Sequence, residues 1–259
     1  MNYRQVTSIY FSPTESTKGV VELIAAGLPG VHESLDLTEA AKFRPDYSFR
    51  EDEVVLVGVP VYAGRIPETS IERFKKLHGH QTPVVLVVVY GNRAYEDALL
   101  ELKNVMIEQG FRPAAGIAAV AEHNMARSIA AGRPDAQDQA KLKEFGQNVA
   151  DRLAAVKSNY ELPDLKVSGN FPYRERGGMP LKIKVTSACN DCGKCIRSCP
   201  VQAISRTDAK VTDEGRCIHC MRCVLVCPNN ARKLGMLMQM GVNSKLKKAC
   251  AGRKEPEFF

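Results

Sequence analysis

Cys189-Asn190-Asp191-Cys192-Gly193-Lys194-Cys195-Ile196-Arg197-Ser198-Cys199-Pro200 and Cys217-Ile218-His219-Cys220-Met221-Arg222-Cys223-Val224-Leu225-Val226-Cys227-Pro228 are two copies of C-x2-C-x2-C-x3-C-P. Together they take eight of the nine cysteines in the chain. Cysteines at this spacing reach one iron–sulfur cube from a tight loop, and the fourth crosses over to a second cube. The spacing predicts one [4Fe-4S] site at Cys189, Cys192, Cys195 and Cys227. It predicts another at Cys217, Cys220, Cys223 and Cys199. Pro200 and Pro228 stop any continuing helix and aim the crossing cysteine, and Gly193 permits the close turn around the first cube. Two coupled three-cysteine loops with a distant fourth ligand fit tetrahedral zinc poorly. Cys250 lies outside both runs and is expected to be an inert thiol.

Composition agrees with a reduced, soluble setting. No stretch approaches the length of apolar sequence that crosses a bilayer, and residues 1–6 lack the apolar region of a secretion signal. A cytoplasmic location is therefore expected, where cysteines serve as metal ligands more often than as disulfides. The net charge of +7 is uneven: residues 1–160 carry 18 Lys and Arg against 20 Asp and Glu, and residues 161–259 carry 18 against 9. Anionic clusters account for part of the second excess, so no nucleic-acid partner is inferred.

Upstream of the cysteines, strand and helix signals alternate. Strands are predicted at 6–11, 31–37 (an edge), 54–59, 83–90 and 114–120, and helices at 17–26, 71–77, 95–109 and 138–156. Continuous apolar runs alternating with helices imply an α/β doubly wound parallel sheet covered on both faces. Residues 1–160 form this domain. Residues 161–182, with Pro163, Pro172, Pro180 and Gly177-Gly178, read as a linker. A small α+β cluster domain spans 183–232, and 233–259 is a basic C-terminal tail. Lys245, Lys247, Lys248, Arg253 and Lys254 read as a solvated end, with Met236, Met238 and Met240 as packing residues.

Three loops fall at the carboxyl edge of such a sheet. Ser12-Pro13-Thr14-Glu15-Ser16-Thr17 gathers hydroxyls before a helix, an arrangement suited to phosphate. Pro60-Val61-Tyr62-Ala63-Gly64-Arg65 and Tyr90-Gly91-Asn92-Arg93-Ala94-Tyr95 each offer a tyrosine to stack on a flat ring and a glycine to let it approach. Glu122-His123-Asn124 ends the last strand beside them.

With the Ser/Thr turn, PVYAGRIP (60–67), VYGNRAYEDAL (89–99), AEHN (121–124), AAGRPDAQD (130–138) and both cysteine runs, the chain resembles the flavodoxin–ferredoxin fusion proteins, or iron–sulfur flavoproteins. The resemblance implies a five-stranded flavodoxin-like sheet of order 2-1-3-4-5, FMN on it, and a bacterial-type 2[4Fe-4S] ferredoxin domain behind it. It implies that Ser12, Thr14, Ser16 and Thr17 hold the FMN phosphate and that Tyr62, Ala63, Gly64, Gly91, Asn92 and Tyr95 line the flavin ring. Glu15-Ser16 departs from the usual Gly-Asn or Gly-Thr pair, and a carboxylate there would repel phosphate. The expected function is electron transfer between the clusters, FMN and an acidic redox partner protein, with no catalytic residue assigned. The alternative is an FMN-dependent reductase of a small organic substrate, served by Arg65, Asn92, Arg93 and His123.

Overall fold

A computed structural model describes residues 3–40, 46–177 and 181–259. Met1, Asn2, Gly178 and Pro180, which entered the readings above, lie outside the described residues. In chain order the first elements are β1 (Gln5–Tyr10), α1 (Ser16–Ala25), β2 (Val31–Asp36), β3 (Tyr47–Phe49), β4 (Glu53–Pro60) and α2 (Glu68–Phe74). Next come β5 (Leu77–Gly79), β6 (Thr82–Tyr90), α3 (Ala98–Glu108), β7 (Phe111–Val120) and α4 (Ala136–Ala154). The cysteine region holds β8 (Ile183–Val185), α5 (Lys194–Ser198), α6 (Arg222–Leu225) and β9 (Arg232–Leu234). Helix α7 (Met236–Ala249) and strand β10 (Glu257–Phe258) close the chain.

Strands β2, β1, β4, β6 and β7 lie side by side in that order, all parallel, and β10 adds an antiparallel sixth at the β7 edge. β6 is buried along its whole length and β4 at every residue but Pro60, which explains their unbroken apolar runs. β2 is an edge and mostly exposed. Helices α1 and α4 cover one face through Val20, Ile24, Leu142 and Phe145. Helices α2 and α3 cover the other through Phe74, Leu99, Leu102 and Met106. Each large aliphatic side chain so buried contributes about 1.5–3 kcal/mol. This is the flavodoxin-like winding, which places ligands beyond the carboxyl ends of the strands.

Three expectations are corrected. Leu77 opens β5 rather than ending a helix; β5 pairs with β3 in a separate two-stranded sheet. The C-terminal tail is not a solvated end. Helix α7 packs Val242 and Leu246, and the following Cys250, into a third core with Ala126, Leu181 and Met221. The last residues then run along the first domain, where Phe259 and Gly116 exchange two backbone hydrogen bonds. Arg253 pairs with Asp135 at 2.6 Å, and Lys254 donates to the Arg93 carbonyl, so these tail charges meet the first domain. Met236 and Met240 do not pack: they are 78% and 61% exposed.

Candidate cofactor sites

The cysteine region repeats in backbone conformation as well as in sequence. Asp191 and His219, Gly193 and Met221, and Gln202 and Asn230 are pairs 28 residues apart, and all six have positive φ. Gly193 takes that conformation readily, and Met221 takes it at a steric cost. In each copy the fourth sulfur accepts an N–H from four residues on: Ala203 to Cys199 at 3.3 Å, and Ala231 to Cys227 at 3.2 Å. β8 and β9 pair antiparallel and tie the two ends of the region together.

Cys199, Cys217, Cys220 and Cys223 line one small cavity with Ile204 and Ile218. Cys195 and Cys199 sit in an apolar cluster on which Cys189, Cys217 and Cys223 pack, so sulfurs of both sets share one core. All eight are free thiols. Among the described residues no three His, Cys, Asp or Glu side chains converge closely enough for a single ion; four thiols around a cube stand farther apart than that. The apolar walls, the paired N–H···S bonds and the four-cysteine cavity suit [4Fe-4S] cubes. Burial pushes the Cys220 thiol up, and Cys223 up to about 11. Iron must displace these protons, so cluster loading depends on pH. Cys192 is exposed and Cys220 is buried, which puts one end of the pair toward solvent and the other toward the first domain.

Arg232 is the feature the motif does not announce. It is only 2% exposed. Its Nη1 reaches Cys195 Sγ at 3.8 Å and the Ala209 carbonyl, its Nη2 reaches Thr212, and its Nε is unpartnered. The first repeat has buried Ile204 at the equivalent place. A cation where the repeat calls for an aliphatic residue was the available signal.

At the carboxyl edge of the sheet, a cavity of about 420 Å³ is lined by Tyr62, Ala63, Tyr90, Gly91, His123 and Asn124, among others. That volume lies within the range of small-ligand sites. Its far wall is Ile218 and His219 from the second cysteine loop. Burial holds Tyr62 well above its ordinary pKa, and the neighbouring Cys220 adds to the rise when ionised. Burial, then Arg93, lowers the His123 pKa. His123 Nδ1 accepts from Met125 and Ala126 N–H, which leaves the proton of the neutral ring on Nε2. Asn124 Nδ2 is buried without a partner. An added Cβ at Gly91 would lie 2.5 Å from the His123 ring. An orphaned donor, a cavity lined by Tyr62, Tyr90 and His123, and a close-approach glycine suit a heteroaromatic ring with carbonyl groups.

The Ser/Thr turn does not line this cavity. Ser12 is buried and its Oγ accepts from Lys18 N–H at 3.0 Å. Thr17 is buried, and Thr14 and Ser16 are half-buried. Helix α1 starts without a side-chain cap, as Glu15 stands at the N-cap with φ 65°. With the Lys18 N–H taken by Ser12 Oγ, the N–H groups of Ser16 and Thr17 are the first-turn donors that could meet an anion.

Three residues expected against the ring are placed otherwise. Gly64 is a turn residue, φ 83°, whose carbonyl accepts from Asp97 N–H. Asn92 is buried and donates to the Cys250 and Gly252 carbonyls, both at 2.8 Å, while accepting from Lys254 N–H. Tyr95 donates to Glu257 at 2.5 Å. The tail occupies the outer half of this loop, and chain that distant in sequence leaves no local signal. The linker is also bound: Asn170 and Arg174 N–H groups hold Asp97, whose pKa they pull down against burial.

Two arginines join the halves. Arg73, 6% exposed, donates to the carbonyls of Thr38 and, at 2.6 Å, of Pro200 beside Cys199. Arg222 donates to the Pro13 carbonyl at 3.2 Å and pairs with Glu15 and Glu39.

Residues 188–231 match the family of 4Fe-4S dicluster domains. Ferredoxin-3 of Chlorobaculum tepidum is 40% identical over 55 residues, which is 18% of this chain and 89% of that protein. Among solved structures, a flavodoxin from the Archaea is 12% identical, covering 58% of this chain and 99% of its own, with TM-score 0.40. A Streptococcus pneumoniae flavodoxin is 16% identical, covering 57% and 99%, with TM-score 0.40. Through its cysteine region the chain belongs to the ferredoxin family, as a two-[4Fe-4S] domain carried behind a domain of flavodoxin-like winding.

Proposed function

We propose that the chain is an electron-transfer iron–sulfur flavoprotein, passing single electrons between a redox partner protein, two [4Fe-4S] clusters and FMN. The clusters supply one-electron steps, and a flavin supplies one- and two-electron steps. The observation that carries the reading is the shared cavity: Ile218 and His219, flanked by Cys217 and Cys220, form a wall of the space lined by Tyr62 and Gly91. Two cofactors held on opposite sides of one wall exchange electrons without a further carrier.

Exposed Cys192 supports partner access at one end of the cluster pair, and buried Cys220 near Tyr62 supports a flavin at the other. The excess of Lys and Arg over Asp and Glu after residue 160 favours an acidic partner and speeds encounter at low salt. The reductase alternative loses most of its residues. Arg65 is bound bidentately to Glu101 at 2.8 and 2.6 Å, Arg93 is paired with Glu96, and Asn92 is taken by the tail. Only His123 remains unclaimed by an ion pair or the tail.

Anaerobic purification with iron, sulfide and flavin counted per chain tests this. About eight irons and one FMN per chain are expected. Eight irons with no flavin, and none taken up on titration, would leave a plain ferredoxin with an unexplained first domain.

A further inference from the structure

Glu15 places a carboxylate in a turn whose chemistry otherwise suits phosphate, and its partner comes from the other domain. Arg222 lies between the ligands Cys220 and Cys223. Its guanidinium bonds Glu15, Glu39 and the Pro13 carbonyl, all within or beside the Ser/Thr turn. The Arg222 side chain is 12% exposed, and its Nε is buried with no partner. Met221, just before it, is held at φ 62°. The position of the guanidinium is therefore set by the second cysteine loop.

We infer that Arg222 is part of the phosphate site: it cancels Glu15 and so makes retention of a phosphomonoester such as that of FMN depend on the second cysteine loop. Alone, the turn offers helix N–H groups opposed by the carboxylates of Glu15 and, beside it, Glu39. With Arg222 in place one positive charge is set against those two carboxylates, which lowers the repulsion an anion meets at the turn. The flavin site is then completed only when the cysteine loop is folded, and that loop folds around its metal. A chain lacking its second cluster would accordingly release flavin, so that no flavin remains bound without its electron source.

This rests on the flavin reading, and the test separates the two. Full-length, iron-loaded protein is stripped of flavin and titrated with FMN, with flavin fluorescence as the readout and iron content checked for each variant. If the unaltered chain takes up no FMN, the flavin reading fails. If it does, Arg222→Gln is expected to weaken binding at least tenfold, and Arg222→Lys to weaken it less. Adding Glu15→Gln to Arg222→Gln is expected to recover most of the loss, because it removes one of the two carboxylates left unpaired and returns the local charge to that of the unaltered chain. A merely structural latch predicts the opposite, since the double variant lacks the interdomain pair just as the single one does. Equal binding by Arg222→Gln and the unaltered chain, or no recovery in the double variant, overturns the inference. Should Arg222→Gln lose iron, Glu15→Gln alone decides: binding as tight as or tighter than the unaltered chain supports it, and weaker binding overturns it.

Discussion

At the scale of single residues, the informative positions are those that break a pattern. Arg232 interrupts the internal repeat with a buried cation that touches Cys195 and bears on Cys223. A positive charge and an N–H donor beside cluster sulfur favour the reduced, more negative state. Arg232→Met should therefore move cluster potentials negative by at least a tenfold change in the oxidised-to-reduced ratio, about 59 mV for one electron. An EPR-monitored redox titration reads this; unchanged potentials would make Arg232 a packing residue. His123 gives a pH signature. Its folded pKa lies below the ordinary 6.5 because of burial and Arg93, so below pH 6.5 the unfolded chain binds a proton that the native ring refuses. That contribution to stability is present above 6.5 and is lost as the pH falls below it, with a slope of at most about 1.4 kcal/mol per pH unit. Urea unfolding between pH 5 and 7 should show a shallower loss for His123→Asn than for the unaltered chain.

At the scale of elements, legibility follows sequence distance. β4 and β6 are readable because near-complete burial demands an unbroken apolar run, whereas β2 has an alternating sequence but no alternating burial, with Val31 to Ser34 all exposed. β3 and β5, three residues each, are too short to carry a period, and Leu77 continues the spacing of α2. The cysteine ligands are legible because their chemistry is local. The tail is not, because Asn92 and Cys250 meet across 158 residues. The loop 90–95 looked like flavin-ring chemistry, yet Asn92 and Tyr95 hold the chain terminus. Asn92→Ala leaves the buried Cys250 carbonyl without this partner, and the part-buried Gly252 carbonyl and Lys254 N–H as well, at a cost of about 1–3 kcal/mol. A lower urea midpoint at unchanged slope is expected, with earlier proteolytic loss of residues after 250. A variant of unaltered midpoint would show that the docked tail adds nothing to stability.

At the scale of the whole molecule, the sheet and the cysteine region become one device through contacts made across long stretches of chain, beside a core they share at Ala126, Met221 and Leu246. Arg73 bonds the carbonyl beside Cys199, Arg222 bonds the Ser/Thr turn, and Ile218 and His219 wall the cavity that holds Tyr62. None of these contacts can be read from spacing, whereas the domains they join can. In the proposed function they form the path between the buried cysteine site and the sheet edge. Anaerobic rapid mixing of the fully loaded chain with less than one equivalent of a one-electron reductant measures that path. Cluster bleaching should come first, followed by loss of flavin absorbance at a rate independent of protein concentration. Reduced clusters that persist beside oxidised flavin, or flavin reduction whose rate rises with protein concentration, would contradict transfer within the chain.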